Sequence, residues 1–193
     1  TATSYYVAGY ILGNGITTGF INYYSSNGTE QWSQTYGATK IYLWGSKSDS
    51  SDNIYAVGYV GEVYDSKTPT GNRDSLILKV NSSGVLQWSK FVDDLSGSGD
   101  GYFLSINIDT GGDIIASGPG GTIKFDPNGN TIWSNANISM GEWLSHNIQF
   151  DSNKNPIIAA TNLYHLSSTT GQIIHTKRFE TRSEEHTSEL QSP

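Results

Sequence analysis

The chain has 193 residues, no Cys and a formal net charge of −7. That length supports one domain with a sizeable core. The missing Cys excludes a disulfide framework, a thiolate metal site and a cysteine nucleophile. The acidic balance argues against a phosphate-binding surface, so nucleic acid is not an expected partner. No run approaches the roughly 18 apolar residues of a membrane helix, so no membrane insertion is expected. No basic segment followed by an apolar run is visible at the start, so no signal peptide is read. The 22 Gly, 12 Tyr and 5 Trp, with only 15% charged residues, suit short strands joined by tight turns.

In chain order, Tyr5-Tyr-Val-Ala-Gly9 and Phe20-Ile-Asn-Tyr-Tyr24 are the first strand candidates. A turn containing Gly28 follows, and then a strand that reaches Trp32-Ser33. The same series returns as Ile41–Trp44, Ile54–Gly58, Leu76–Val80 and a strand through Trp88-Ser89. It returns again as Tyr102–Ile108, Ile114–Ser117, Thr122–Phe125 and Thr131–Ser134. The last copy runs through Trp143–Phe150, Ile157–Thr161, Leu163–Leu166 and a strand ending near His175, which stands where the other copies have Trp. Each apolar run has strand length, and each gap carries Gly, Asn, Asp or Pro to supply turn dihedrals.

The turn glycines Gly28, Gly84, Gly129 and Gly171 recur at roughly 40–55-residue intervals, the period of a four-stranded propeller blade. The sequence therefore predicts an all-β fold. It is a β-propeller fragment of about three and a half to four four-stranded antiparallel blades, not closed. Blade 1 is partial over 1–36 and begins at its second strand; blades 2, 3 and 4 span 37–92, 93–136 and 137–181. Two insertions decorate the array, Tyr59 to Arg73 and Asp93 to Asp100. A blade cannot bury both faces alone, so neighbours must stack. Trp32, Trp88 and Trp133 are then expected to fill the wedge between diverging blades; a ligand-stacking platform is the rival role.

Val7-Ala-Gly9 and Leu76-Ile-Leu-Lys-Val-Asn-Ser-Ser-Gly-Val-Leu-Gln-Trp-Ser89 resemble the repeat of bacterial β-propeller proteins of the SBBP type. The resemblance covers about residues 5 to 180. It implies a secreted or cell-surface bacterial protein and leaves the ligand open. Thr170-Gly171 and the three Trp more loosely resemble pyrroloquinoline-quinone-type propellers. No quinone-binding position can be matched, and the vicinal Cys pair frequent in those dehydrogenases is missing. Arg182 to Pro193 resembles a translated sequencing adapter and is read as a non-native tail, so Glu184-Glu185-His186 is not read as a metal site.

Outside the tail the histidines are His146, His165 and His175. No Gly-x-Ser-x-Gly elbow accompanies them, and His175 is better explained by packing in the Trp slot. Calcium is the metal to consider, because Asp93, Asp94 and Asp100 bracket a Gly/Ser insertion and calcium takes six to eight oxygens. Asp49 and Asp52 sit in a polar turn. None of these matches a calcium-loop motif, and Asp is a default turn residue. Asn27, Asn81 and Asn137 head glycosylation sequons of the kind Asn-rich turns produce by chance. Tyr59, Tyr64 and Arg73 are binding candidates, being residue types common at binding hot spots. The reading is a non-catalytic binding or structural propeller module without a required cofactor. Its partner is a protein or a glycan. A carbohydrate-binding propeller and a quinoprotein-like oxidoreductase domain are the alternatives.

Overall fold

A computed structural model describes residues 4–37, 40–95, 97, 99–138, 147–160 and 162–179. His146 and the 182–193 tail lie outside the described residues. The described chain is entirely β, with fifteen strands in four antiparallel sheets. The first sheet has three strands, β1 (Tyr5–Gly13), β2 (Ile16–Tyr24) and β3 (Glu30–Tyr36). The second is β4 (Ile41–Ser48), β5 (Ile54–Val60), β6 (Asp74–Val80) and β7 (Leu86–Val92). The third is β8 (Ser105–Ile108), β9 (Ile114–Gly118), β10 (Gly121–Phe125) and β11 (Thr131–Asn135). The fourth is β12 (Asn147–Phe150), β13 (Pro156–Ala159), β14 (Asn162–Leu166) and β15 (Ile173–Arg178). Each sheet is a meander whose strands pair in sequence order. No sheet closes on itself.

The sheets stack face to face, with β4 beside β1, β8 beside β4 and β12 beside β8. Three apolar cores fill the three gaps. The first contains Ile21, Ile41, Leu43 and Leu76, the second Tyr55, Phe103, Ile114 and Phe125, and the third Ile115, Trp133, Ile148 and Ile158. Strands β9 and β10 are buried at every position, and β5 and β6 at all but one. Covered on both faces, they need apolar residues on both. Strands β2 and β13 alternate, since their sheets are covered on one face.

Several boundaries differ from the sequence reading: β4 runs on to Ser48, β8 begins at Ser105 and β13 ends at Ala159. Strand β1 runs on to Gly13 and turns at Asn14-Gly15, with φ of 52° and 77°. A two-residue type I′ hairpin needs positive φ at both positions, and Asn-Gly is a favoured pair for it. The first insertion is shorter than read, because Tyr59 pairs with Ser75 and Val60 with Asp74 in the β5–β6 ladder.

One contact repeats at every junction between sheets. The Trp32 indole donates from Nε1 to the Ser82 carbonyl at 2.9 Å, Trp88 to the Pro127 carbonyl at 3.3 Å and Trp133 to the Ser168 carbonyl at 3.0 Å. Each acceptor lies in the outer turn of the next sheet, and each indole covers that turn's glycine: Gly84, Gly129 or Gly171. These three glycines are buried and have φ between 68° and 81°. A Cβ at Gly171 would run into the Trp133 ring, so the residue must lack one. A lysine reinforces two junctions from the paired position on the neighbouring strand. Lys79 lies opposite Trp88 and also donates to the Pro127 carbonyl, at 3.2 Å. Lys124 lies opposite Trp133 and donates to the Ser168 carbonyl, also at 3.2 Å. Lys124 is 5% exposed, and Asp109 at 3.3 Å and Asp113 at 2.9 Å offset the cost of burying its charge. The three tryptophans therefore act as inter-sheet wedges.

The turns share a second device. The Oδ1 atom of Asp49, Asn81, Asp109, Asp126 and Asp151 accepts the backbone N–H groups two and four residues on. This satisfies the amides at the hairpin tip and explains why Asp or Asn opens these turns. The Asn130 side chain and the turn amides hold the Asp126 carboxyl below its usual range. Partial loss of water acts to raise Asp151, but the Asn155 backbone and side chain, His165 and the Asn153 amide outweigh it and hold the carboxyl at about 2.

Two outcomes follow. Gly171→Ala should cost about 2–3 kcal/mol in urea unfolding, combining positive-φ strain with the clash against Trp133. Gly28→Ala, at φ 85° and with the Tyr5 hydroxyl at an ordinary contact distance of 3.8 Å, should cost only about 1 kcal/mol of backbone strain. The lowered carboxyls stabilise the fold above their unfolded pKa of about 3.9, and that contribution disappears as pH falls through the folded values. The thermal midpoint should therefore drop between about pH 4 and pH 2, and the drop should be shallower in Asp151→Asn.

Candidate functional site

The sheet junctions leave a cleft of about 460 Å³ lined by Tyr10, Tyr42, Trp44, Tyr59, Arg73, Tyr102 and Leu104. Its walls come from three sheets: Tyr10 from β1, Tyr42 and Trp44 from β4, Tyr59 from β5, and Tyr102 and Leu104 from the segment entering β8. Side chains alternate along a strand. Ile41 and Leu43 point into the first core, so Tyr42 and Trp44 face the other way and are less buried.

The rings form one continuous group. Tyr42 stacks on Tyr59 with centroids 4.5 Å apart and planes 17° apart. Tyr10 lies 4.8 Å from Tyr42, and Trp44 lies 5.3 Å from Tyr59. Trp44 also meets Tyr102 edge to face at 5.2 Å. Tyr102 is buried at 6% exposure and forms the floor, whereas Tyr10 at 39% and Trp44 at 37% present their rings to solvent. Burial, together with the contact to the Tyr42 phenol, raises the Tyr59 phenol well above its usual range, so it stays neutral.

Arg73 crosses this group. Its guanidinium stands 5.6 Å from the Tyr59 centroid and 5.5 Å from that of Tyr102. Its Nη2 donates to Asp100 Oδ2 at 3.0 Å. That hydrogen bond comes first among the causes that raise the guanidinium pKa further. Arg73 and Asp100 also pair through a parallel backbone bridge, and Gly101 N–H donates to the Arg73 carbonyl. The two insertions are thus stitched together at the cleft. Arg73 Nε and Asp100 Oδ1 are buried and carry no hydrogen bond. A second hollow of about 220 Å³ shares Tyr42, Tyr59 and Arg73 and adds Lys40, Asn72 and Thr17. There the Thr17 hydroxyl donates to Tyr42 Oη at 2.9 Å.

Of the binding candidates, Tyr59 and Arg73 meet in the cleft and Tyr64 does not. Tyr64 packs against the first core, and its turn is tied down by Lys67, which bonds both Asp65 and Ser89. The calcium candidates point to separate partners. Asp93 accepts from the Thr70 hydroxyl, Asp94 from the Gly99 amide and Asp100 from Arg73. Among the described residues no group of three His, Asp or Glu side chains is placed to hold a metal ion. Asp49 is occupied within its own turn. His165 bonds Asp151 at 2.9 Å, and His175 pairs with His165 across β14 and β15, at the position that Trp133 and Trp88 hold in the preceding sheets. Sequence reasoning passed over Tyr10, Tyr42, Trp44 and Tyr102. The signal for two of them was present: aromatics at the outward positions of a strand whose alternate residues are core.

The fold is that of a β-propeller: antiparallel four-stranded meanders stacked in series, with three strands in the first. Solved structures agree. A protein of unknown function from Bacteroides caccae superposes with a TM-score of 0.56 at 14% identity, covering 85% of this chain and 57% of that one. BamB from Moraxella catarrhalis superposes with a TM-score of 0.54 at 14% identity, covering 92% of this chain and 52% of that one. The chain thus spans little more than half the length of these two proteins. No protein-family profile and no curated protein matches the sequence.

Arg73 and Asp100 should be energetically coupled. A double-mutant cycle with Arg73→Ala and Asp100→Ala, read by urea unfolding, should give a coupling of about 0.5–1 kcal/mol, the range of a half-exposed ion pair.

Proposed function

We propose that this chain is a non-catalytic binding module of a secreted or cell-surface bacterial protein, and that the aromatic cleft is its contact surface. The single observation that carries this reading is the convergence of four Tyr, one Trp and one Arg from three sheets into one open hollow. Tyr, Trp and Arg dominate binding hot spots, because they combine large apolar area with a polar tip and few rotatable bonds. Here their geometry is already fixed by ring stacking and by the Arg73–Asp100 pair, which lowers the ordering cost of binding. The charged side chains lining the two hollows, Arg73 and Lys40, are both cationic in a chain of net charge −7. The favoured partner is therefore a protein segment presenting apolar or aromatic side chains next to an acidic one. The looser resemblance to quinone propellers brings no matched cofactor position with it.

A second reading, glycan binding, rests on the exposed rings of Tyr10 and Trp44 at the rim. Sugars stack on such faces, with flanking polar groups engaging the hydroxyls.

Panning a displayed peptide library against the chain should yield ligands enriched in acidic and aromatic residues. Their affinity should fall at least tenfold in Trp44→Ala and in Arg73→Ala, an effect of about 1.4 kcal/mol. Selected peptides that bind both variants as well as the parent chain would place the contact surface elsewhere. A glycan array probed in parallel, with hits lost in Trp44→Ala, would favour the second reading.

A further inference from the structure

The aromatic cleft has a neighbour of different chemistry. Lys40, just before β4, and Tyr42 within it alternate with Ile41 and Leu43, which enter the first core. Trp44 follows as the extra residue of a bulge, because Leu43 pairs with Gly58 and Gly45 with Val57. A bulge re-aims a side chain and is common beside functional sites. Trp44 lines the 460 Å³ cleft, Lys40 lines the 220 Å³ hollow, and Tyr42, Tyr59 and Arg73 line both. The row therefore runs from a cation, over a shared aromatic wall, to an apolar hollow.

The backbone anchors Lys40 in this place. Its carbonyl accepts from the Gly61 N–H at 3.0 Å, and it forms a parallel bridge with Thr17 of β2. Its stem lies along Gly61, where a Cβ would meet Lys40 Cδ at 3.2 Å. Among the described residues no carboxylate forms an ion pair with Lys40, and none lines either hollow. Arg73, the other cation there, is already paired with Asp100 at 3.0 Å. Lys40 is thus the charge a ligand can match. Beside it Asn72 is exposed and carries an amide, whereas the buried Thr17 gives its hydroxyl hydrogen to Tyr42. An ammonium and an amide are donors that suit a carboxylate.

We propose that the Lys40 hollow is a carboxylate subsite, and that the two hollows together read an extended peptide whose acidic and aromatic side chains stand two residues apart. This rests on the aromatic cleft being the contact surface. The spacing comes from strand geometry. Residues i and i+2 of an extended chain lie on one side, roughly 7 Å apart, which is also the step from Lys40 to Tyr42. The hollows sit on either side of Tyr42, so their occupants are separated by about one such step. Adjacent acidic and aromatic residues point to opposite sides of an extended chain and cannot fill both. The unmatched positive charge selects an anion in the first hollow, and the rings select an apolar group in the second.

Titration of the nitrogen-15-labelled chain with unlabelled, capped pentapeptides tests this, read from the backbone amide signals of β4. Ser-Asp-Ser-Phe-Ser and its reverse, Ser-Phe-Ser-Asp-Ser, cover both chain directions. The better of the two should bind at least about threefold more tightly than its Asn analogue, the effect of one exposed ion pair. It should also bind more tightly than Ser-Ser-Asp-Phe-Ser, in which the two residues are adjacent. Lys40→Gln should abolish the preference for Asp over Asn, and Lys40→Glu should turn it into a preference for a Lys analogue. Trp44→Ala should weaken the Asp and Asn peptides alike. Equal binding of the Asp and Asn peptides, or a preference that survives Lys40→Gln, would overturn the subsite. If Trp44→Ala still weakened both peptides, the contact surface would stand without it. A uronic acid glycoside that moves the β4 signals where no peptide does would overturn the peptide ligand in favour of an acidic glycan. Signals unmoved by every peptide and by the glycoside at millimolar concentration would overturn the subsite and the contact surface together.

Discussion

Everything in this molecule depends on how one sheet grips the next. A four-stranded meander has two faces and cannot bury both alone. The grip is a tryptophan whose ring lies on a neighbouring glycine turn while its N–H bonds a carbonyl of that turn. The indole fills the gap between diverging sheets, and its one polar atom does not remain unpaired when buried. The carbonyl would otherwise be an acceptor without a partner at a drying interface. Where a lysine stands opposite the tryptophan, the same carbonyl takes a second, charge-assisted bond. That lysine in turn requires the carboxylates that surround Lys124.

The cleft is a consequence of this stacking. No sheet contains it. It exists because the grip fixes the sheets at a set spacing, so that Tyr10, Tyr42, Tyr59 and Tyr102 meet across three of them. Function carried by side chains on a rigid scaffold gains precision, since their positions are set by packing and not by loop conformation. Arg73 adds a covalently remote tie: it sits at the end of one insertion, bonds Asp100 at the end of the other, and closes over two rings between them.

The repeat was legible because its physics is local. Turn glycines with positive φ, Asp or Asn opening each hairpin and apolar runs of strand length all act within a few residues, so they leave a pattern in the sequence. The role of Trp32, Trp88 and Trp133 was legible for the same reason, since each recurs at one place in the unit. The site was not. Tyr59 and Arg73 were found by residue type within an insertion, but Tyr64, chosen on the same grounds, turned inward to the first core. Composition cannot distinguish the two outcomes. The cluster Asp93, Asp94 and Asp100 suggested calcium by proximity in sequence, yet each carboxylate is directed to a different partner in space. The Asn14-Gly15 hairpin carried a clear signal that was passed over, because the exposed residues Ile11 and Leu12 do not alternate as a half-buried strand should.

The central claim is that indole-to-carbonyl bonds hold the sheets together. Solvent exchange of the tryptophan indole N–H protons, followed by nitrogen-15 NMR, tests it most directly. The N–H groups of Trp88 and Trp133 should exchange much more slowly than that of Trp44, whose ring faces solvent at the cleft rim, and Trp133, the most buried, should be slowest. Exchange of Trp88 and Trp133 as fast as Trp44 would contradict the account, because it would mean that no buried hydrogen bond joins one sheet to the next.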